Sequence, residues 1–233
     1  MQSPYSNSFS GSSPIVISRS VESQVYSLFA LAIALTTVGV YVGNMYAAQL
    51  SGTGISILML IASFGIILTS SLWAERYPLN YILFGAFPLI SGITLSFYLN
   101  YLLAQYVNGG SILLNALGAT ASMGVAAAIF ARTTSWNLQG MGRVLFFALI
   151  GLLVLSLMQV FIPGLRTGQM ELLLSGAGVV IFAGFLTYDL QRIQTISRYG
   201  GNAFMLALSL YLDIYNLFLY VLRLMTAISG ERR

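Results

Sequence analysis

From Gly184 to Leu224 the chain reads GFLTYDLQRIQTISRYGGNAFMLALSLYLDIYNLFLYVLRL. Two apolar arms flank a polar centre that closes on paired glycines, Gly200 and Gly201, with Arg198 just before them. Paired glycines end helices, and an arginine beside them marks a membrane edge, so the stretch reads as a hairpin of two antiparallel membrane helices. Each arm carries one acid, Asp189 and Asp213, and the chain has no other aspartate. Asp189 lies twelve residues before Gly201 and Asp213 twelve after it. In antiparallel helices these positions are level, at roughly 18 Å of helical rise from the turn. Equal depth follows from the spacing. Whether the two acids face each other depends on helix rotation, which spacing does not set.

A carboxylate at that depth is costly, roughly 2.5–3.5 kcal/mol even on the insertion scale, so an intramembrane acid marks a candidate functional site. Two carboxylates a few ångströms apart in a low dielectric do not both ionise cheaply. The pair would share a proton at lower pH and lose it at higher pH. Fully deprotonated, it offers two charges and hard oxygen ligands of the kind that suit Ca²⁺. Two carboxylates are fewer than Ca²⁺ needs, so water, backbone carbonyls or Asn216 would have to complete the shell. No basic partner is expected beside the pair: Arg223, ten residues further along the last helix, is roughly 15 Å away. Tyr188, Tyr211 and Tyr215 are read as packing or interfacial groups.

The rest of the chain agrees with a membrane setting. Of 233 residues, 58% are hydrophobic and 7% charged, and the mean hydropathy is +0.85. Soluble domains carry about a quarter charged residues. Seven stretches are long and apolar enough to span a bilayer, near 25–48, 55–73, 80–102, 111–131, 142–162, 170–195 and 202–226. The fold class is an all-α polytopic membrane protein, one seven-helix domain over residues 23–228 after a Ser-rich tail over 1–22 that is expected to be disordered. That tail lacks the short apolar core of a secretory signal.

Arginine placement orients the bundle. With the N-terminus in the cytoplasm, the inner segments hold Arg19, Arg76, Arg132, Arg143, Arg192 and Arg198, and the outer ones Arg166, Arg232 and Arg233. That topology puts the C-terminus outside and needs an odd number of spans. Trp73 and Trp136 then fall at cytoplasmic ends as interfacial aromatics. Gly39 and Gly43 form a GxxxG pair, and the fourth span is rich in small residues, both suited to close helix packing. Pro88 is expected to bend the third span.

Absences narrow the chemistry further. With no Cys and no His, the usual zinc, haem and iron–sulfur sites and an imidazole pH sensor are excluded, and no cofactor is expected. Every basic residue is Arg, so a retinal Schiff base has no lysine to form on. A dispersed net charge of +4 does not indicate nucleic-acid binding.

The segments Gly184–Ile193 (GFLTYDLQRI) and Ala207–Leu224 (ALSLYLDIYNLFLYVLRL) resemble the two most recognisable motifs of the transmembrane Bax inhibitor motif family. SGITLS (Ser91–Ser96) and the stretch from Ala131 to Phe161 are also similar, so the resemblance covers nearly everything after the tail. It implies seven helices, six surrounding a central C-terminal seventh. It also implies a pH-sensitive calcium leak, with Asp189 and Asp213 as the proton sensor and cation site and the lipid bilayer, calcium and protons as partners. A bacterial plasma membrane is the expected location. The sequence departs from the family in two places. The loop RTTSWNL (Arg132–Leu138) lacks the lysines and acid of many relatives. The second span lacks the acid found in bacterial relatives, and Glu75 with Arg76 only approximates the end where their latching arginine sits.

Three other functions compete with a leak. A proton/calcium exchanger would use the same two carboxylates and is inseparable from a leak by residues alone. An intramembrane aspartyl protease also pairs a Tyr-Asp helix with a second acid, but uses a Gly-x-Gly-Asp turn and a later Pro-Ala-Leu. Here Asp213 follows Ser-Leu-Tyr-Leu and no proline follows Pro163, so the chain is not expected to be an enzyme. Recruitment of partner helices through small-residue faces would need no aspartate at all.

Overall fold

The hairpin read from the sequence is present as α8 (Gly168–Ile196) and α9 (Ala203–Ser229). The computed structural model describes residues 20–50, 53–196 and 200–231. The tail over residues 1–19, with Arg19, and also Arg198, Arg232 and Arg233, lie outside the described residues. Between the arms, Gly200 takes a φ of 82°, the left-handed conformation that costs glycine nothing. Asn202 then starts α9 by accepting the Met205 N–H at 3.1 Å, the usual side-chain cap for an otherwise orphaned donor.

Seven further α-helices are described before the hairpin. They are α1 (Val21–Met45), α2 (Ala47–Leu50), α3 (Thr53–Leu68), α4 (Ser70–Trp73), α5 (Leu79–Gln105), α6 (Gly109–Thr133) and α7 (Met141–Phe161). Among the described residues, six helices (α1, α5, α6, α7, α8 and α9) are long and apolar enough to cross a membrane, and α3 is a shorter apolar one. The protein is therefore an integral membrane protein with multiple transmembrane helices. α1 already begins at Val21, because Ser20 caps it through the Ser23 N–H at 3.2 Å. Val21 and Glu22, read as the end of the tail, are helical.

The second apolar stretch is broken where the sequence reading had one span. α3 stops at Leu68, Thr69 intervenes and α4 carries the chain on to Trp73. The Thr69 hydroxyl donates back to the Gly65 carbonyl at 2.6 Å, a side-chain bond that competes with the helical ladder. Trp73 is buried, and its indole N–H donates to the Ile66 carbonyl at 3.0 Å. It therefore bridges the break from inside and is not the interfacial aromatic expected; Trp136 is exposed in the α6–α7 turn. α5 continues as helix through Pro88.

Polar ties show which helix ends lie together. At the Gly200 end, Arg132 at the end of α6 meets Glu22 at the start of α1 at 3.3 Å. There too, Asn202 donates to the Ala74 carbonyl just after α4 at 3.2 Å. Gln191 near the end of α8 accepts the Leu138 N–H and donates to the Trp136 carbonyl, both at 2.8 Å. At the opposite end, Val107 N–H donates to Glu231 at 2.9 Å and Glu231 N–H to Asn108 at 3.2 Å, joining the α5–α6 turn to the end of α9.

α9 packs on α8, α6, α1 and α5, and α1 lies along α5. The α1–α5 crossing is close because Gly92 faces the Thr36 carbonyl and Gly39 faces that of Leu89, each so near that no Cβ would fit. On α6 the small-residue stretch divides: Ala116, Thr120, Ala127 and Ala131 are buried, whereas Gly118 faces open space. α3 and α7 turn leucines, isoleucines and valines outward, as a lipid-facing surface requires.

Candidate functional site

Both aspartates are buried, with relative exposures of 3% for Asp189 and 6% for Asp213. Their carboxyl groups lie within hydrogen-bonding reach of each other. The rotation that spacing left open is thus set by packing: α8 and α9 turn their acids toward one another, within a core that includes the buried Leu186, Leu210 and Leu217.

The two acids differ in their surroundings. Ser209, one turn before Asp213 on α9, donates its hydroxyl to Oδ2 of Asp189. Arg192, one turn beyond Asp189 on α8, brings Nη1 to 3.7 Å from Oδ1. Asp189 therefore has three neighbours that accommodate negative charge or share a proton. On Asp213, Oδ2 is buried with no hydrogen-bond partner among the described residues, so this carboxyl relies on Asp189. Such an orphaned oxygen is uncommon in a folded interior and suits a group that takes up a proton or an ion.

Arg192 corrects the expectation that no basic group lies beside the pair. Its i,i+3 spacing from Asp189 is visible in the sequence, but arginine bias alone reads it as a membrane-edge residue. It reaches both places: the side chain is 43% exposed and also lines a cavity of about 220 Å³ with Gln139, Tyr188, Gln191, Thr195 and Ile196. That cavity lies at the Gly200 end, one helical turn from Asp189. Ser209 was missed because a serine in an apolar helix has no signal of its own until its neighbour is known.

The other candidates take partners outside the pair. Arg76 is exposed in the turn after α4 and forms no ion pair among the described residues. Asn216 uses its amide on the Leu212 carbonyl at 2.7 Å. Arg223 makes a two-pronged ion pair with Glu171 through Nε and Nη2, the latter at 2.7 Å, at the end of the bundle away from Gly200. Tyr211 and Tyr215 serve packing. Tyr211 shares a hydrogen bond with Thr36 at 2.8 Å, and Tyr215 donates to the Ser91 carbonyl at 2.9 Å.

Chemically, the site brings two carboxylates and a hydroxyl together, all oxygen donors suited to a hard cation. Among the described residues no group of three or more His, Cys, Asp or Glu side chains is placed to hold a metal. A cation here would draw its remaining ligands from water or backbone carbonyls.

A family model described as inhibitor of apoptosis-promoting Bax1 matches residues 18–230. An uncharacterized protein of Rickettsia prowazekii is 31% identical over 223 residues, covering 90% of this chain and 89% of its own length. Protein LIFEGUARD 4 of Arabidopsis thaliana is 29% identical over 216 residues, 88% of this chain and 83% of its own. Bax inhibitor 1 of Schizosaccharomyces pombe is 28% identical over 175 residues, 75% of this chain and 60% of its own.

Proposed function

This chain belongs to the Bax inhibitor-1 family, whose model spans nearly all of it, and on that premise we propose that it is a pH-regulated cation leak with calcium as the ion carried. The observation that carries the reading is the buried contact between Asp189 and Asp213. With one shared proton the pair bears a single negative charge, which the Ser209 hydroxyl and Arg192 accommodate. When that proton leaves, two like charges face each other. At 4 Å and an effective dielectric near 20 their repulsion is about 4 kcal/mol. The bundle relieves it by parting α8 from α9 or by admitting a cation. Protons and Ca²⁺ thus compete for one site, and pH shifts the balance between closed and open forms.

α3 and α4 are counted together as a further span, which makes seven and puts the two termini on opposite sides. The arginine bias then places the Gly200 end in the cytoplasm of a bacterial plasma membrane. In this orientation the small cavity beside Arg192 is the cytoplasmic approach to the pair.

The test is Ca²⁺ flux into proteoliposomes across a pH series. The native protein is expected to show a pH-dependent rate, and Asp213→Asn a flat one. An unchanged pH profile in Asp213→Asn removes the sensor role. A second arm asks whether a pH gradient drives Ca²⁺ uphill: accumulation above the bath concentration means exchange, and equilibration means a leak.

A further inference from the structure

A cavity lies at the end of the bundle away from Gly200. It has a volume of about 760 Å³, and its wall includes Tyr98, Ser156, Gln159, Glu171 and Arg223. The Arg223–Glu171 ion pair thus lines this cavity, and its two residues lie on α9 and α8, the helices that carry the aspartates.

The seam has a regular order. Phe182 precedes Asp189 by seven residues on α8, and Tyr220 follows Asp213 by seven on α9. Seven residues are two turns, with a drift of only about 20°, so ring and acid share a face on each helix. Both rings stand roughly 10.5 Å from the acids, on the cavity side. They stack on each other, with centroids 5.5 Å apart and planes inclined by 22°. Tyr220 lies flat on Gly178, where any Cβ would collide with the ring, and it also contacts Ser156 of the cavity wall. Beneath the rings, Leu186 and Leu217 are closed to solvent. Glu171 is eleven residues before Phe182, about three turns, so the α8 face runs from cavity to ring to acid.

We propose that the Phe182–Tyr220 stack, seated on Gly178, is the closed constriction between this cavity and the aspartate pair, and that the cavity is the mouth of the cation pathway on the Arg223 side. The proposal deepens the leak reading and rests on it for the identity of the ion. Two stacked rings over buried leucines hold no water, and a dry apolar constriction blocks an ion without any charged barrier.

The chain contains no cysteine, so single thiols report accessibility without background. Ala227→Cys places a thiol in the cavity wall, and Asn216→Cys places one between Tyr220 and Asp213. In proteoliposomes, a membrane-impermeant charged methanethiosulfonate is added on the side from which Ala227→Cys reacts. Asn216→Cys is expected to stay unmodified while Ala227→Cys reacts to completion. It should become reactive when combined with Tyr220→Ala or Phe182→Ala, and stay protected with Tyr220→Phe. Reaction of Asn216→Cys with both rings intact overturns the seal, as does continued protection in both alanine backgrounds. Ca²⁺ flux is read on the same vesicles. Raised flux in the ring variants supports the pathway. Opened accessibility with unchanged flux leaves the seal standing and removes the leak reading.

Discussion

The hydroxyl of Ser209 on α9 is donated to the carboxylate of Asp189 on α8, so the two arms of the hairpin are tied by a hydrogen bond one turn from the aspartate contact. Among the described residues, Oδ2 of Asp213 has no hydrogen-bond partner. The pair is therefore asymmetric, with Asp189 supported on several sides and Asp213 supported by its partner.

Ser209→Ala removes that donor and leaves a buried carboxylate oxygen short of a partner. Leaving a buried group unsatisfied costs about 1–3 kcal/mol. Thermal unfolding in detergent should show a lowered Tm, and Ser209→Thr, which keeps the hydroxyl, should recover most of it.

Asp213→Asn replaces one carboxyl by a neutral group of the same shape. At acid pH, where the native pair holds its proton, the variant and native protein should unfold at similar temperatures. At alkaline pH the native bundle carries two facing charges and loses stability, while the variant does not. Its Tm advantage should therefore grow as pH rises, with the Coulomb figure of about 4 kcal/mol as an upper bound. A constant difference across pH contradicts mutual ionic hindrance.

Glu171 and Arg223 bind each other through two prongs at the edge of the large cavity. Both side chains are about a third exposed, so water screens the pair and its net coupling should be modest, about 1 kcal/mol or less. Glu171→Gln and Arg223→Gln should each lower stability, and the double variant should lose less than their sum. A double-mutant cycle by thermal unfolding reads the coupling directly.

Gly92→Ala tests the α1–α5 crossing. The added methyl would meet the Thr36 carbonyl, which belongs to backbone and cannot rotate away. Overpacking of this kind costs about 1–3 kcal/mol. Gly118→Ala on α6, which faces open space, is the matched control and should hold or raise Tm, since alanine is the better helix former.

Much of this was legible in the chain alone because a membrane imposes length and polarity on every span. The hairpin, its glycine turn and the equal depth of Asp189 and Asp213 followed from counting residues at a fixed helical rise. The second span reads as one apolar run, and hydropathy carries no trace of the interruption at Thr69 between α3 and α4. Trp73 was misplaced for the same reason, since its partner is a carbonyl exposed by that break.

The sequence by itself determined that Asp189 and Asp213 are level along the hairpin, since rise per residue is the same in any helix and lipid forbids other backbone. Only the tertiary structure decided azimuth. Which side of α8 faces α9 depends on how Gly178 accepts the Tyr220 ring and how the neighbouring helices crowd the hairpin. That rotation turned two level acids into a pair, brought Arg192 and Ser209 to Asp189, and carried Asn216 and Arg223 to other partners.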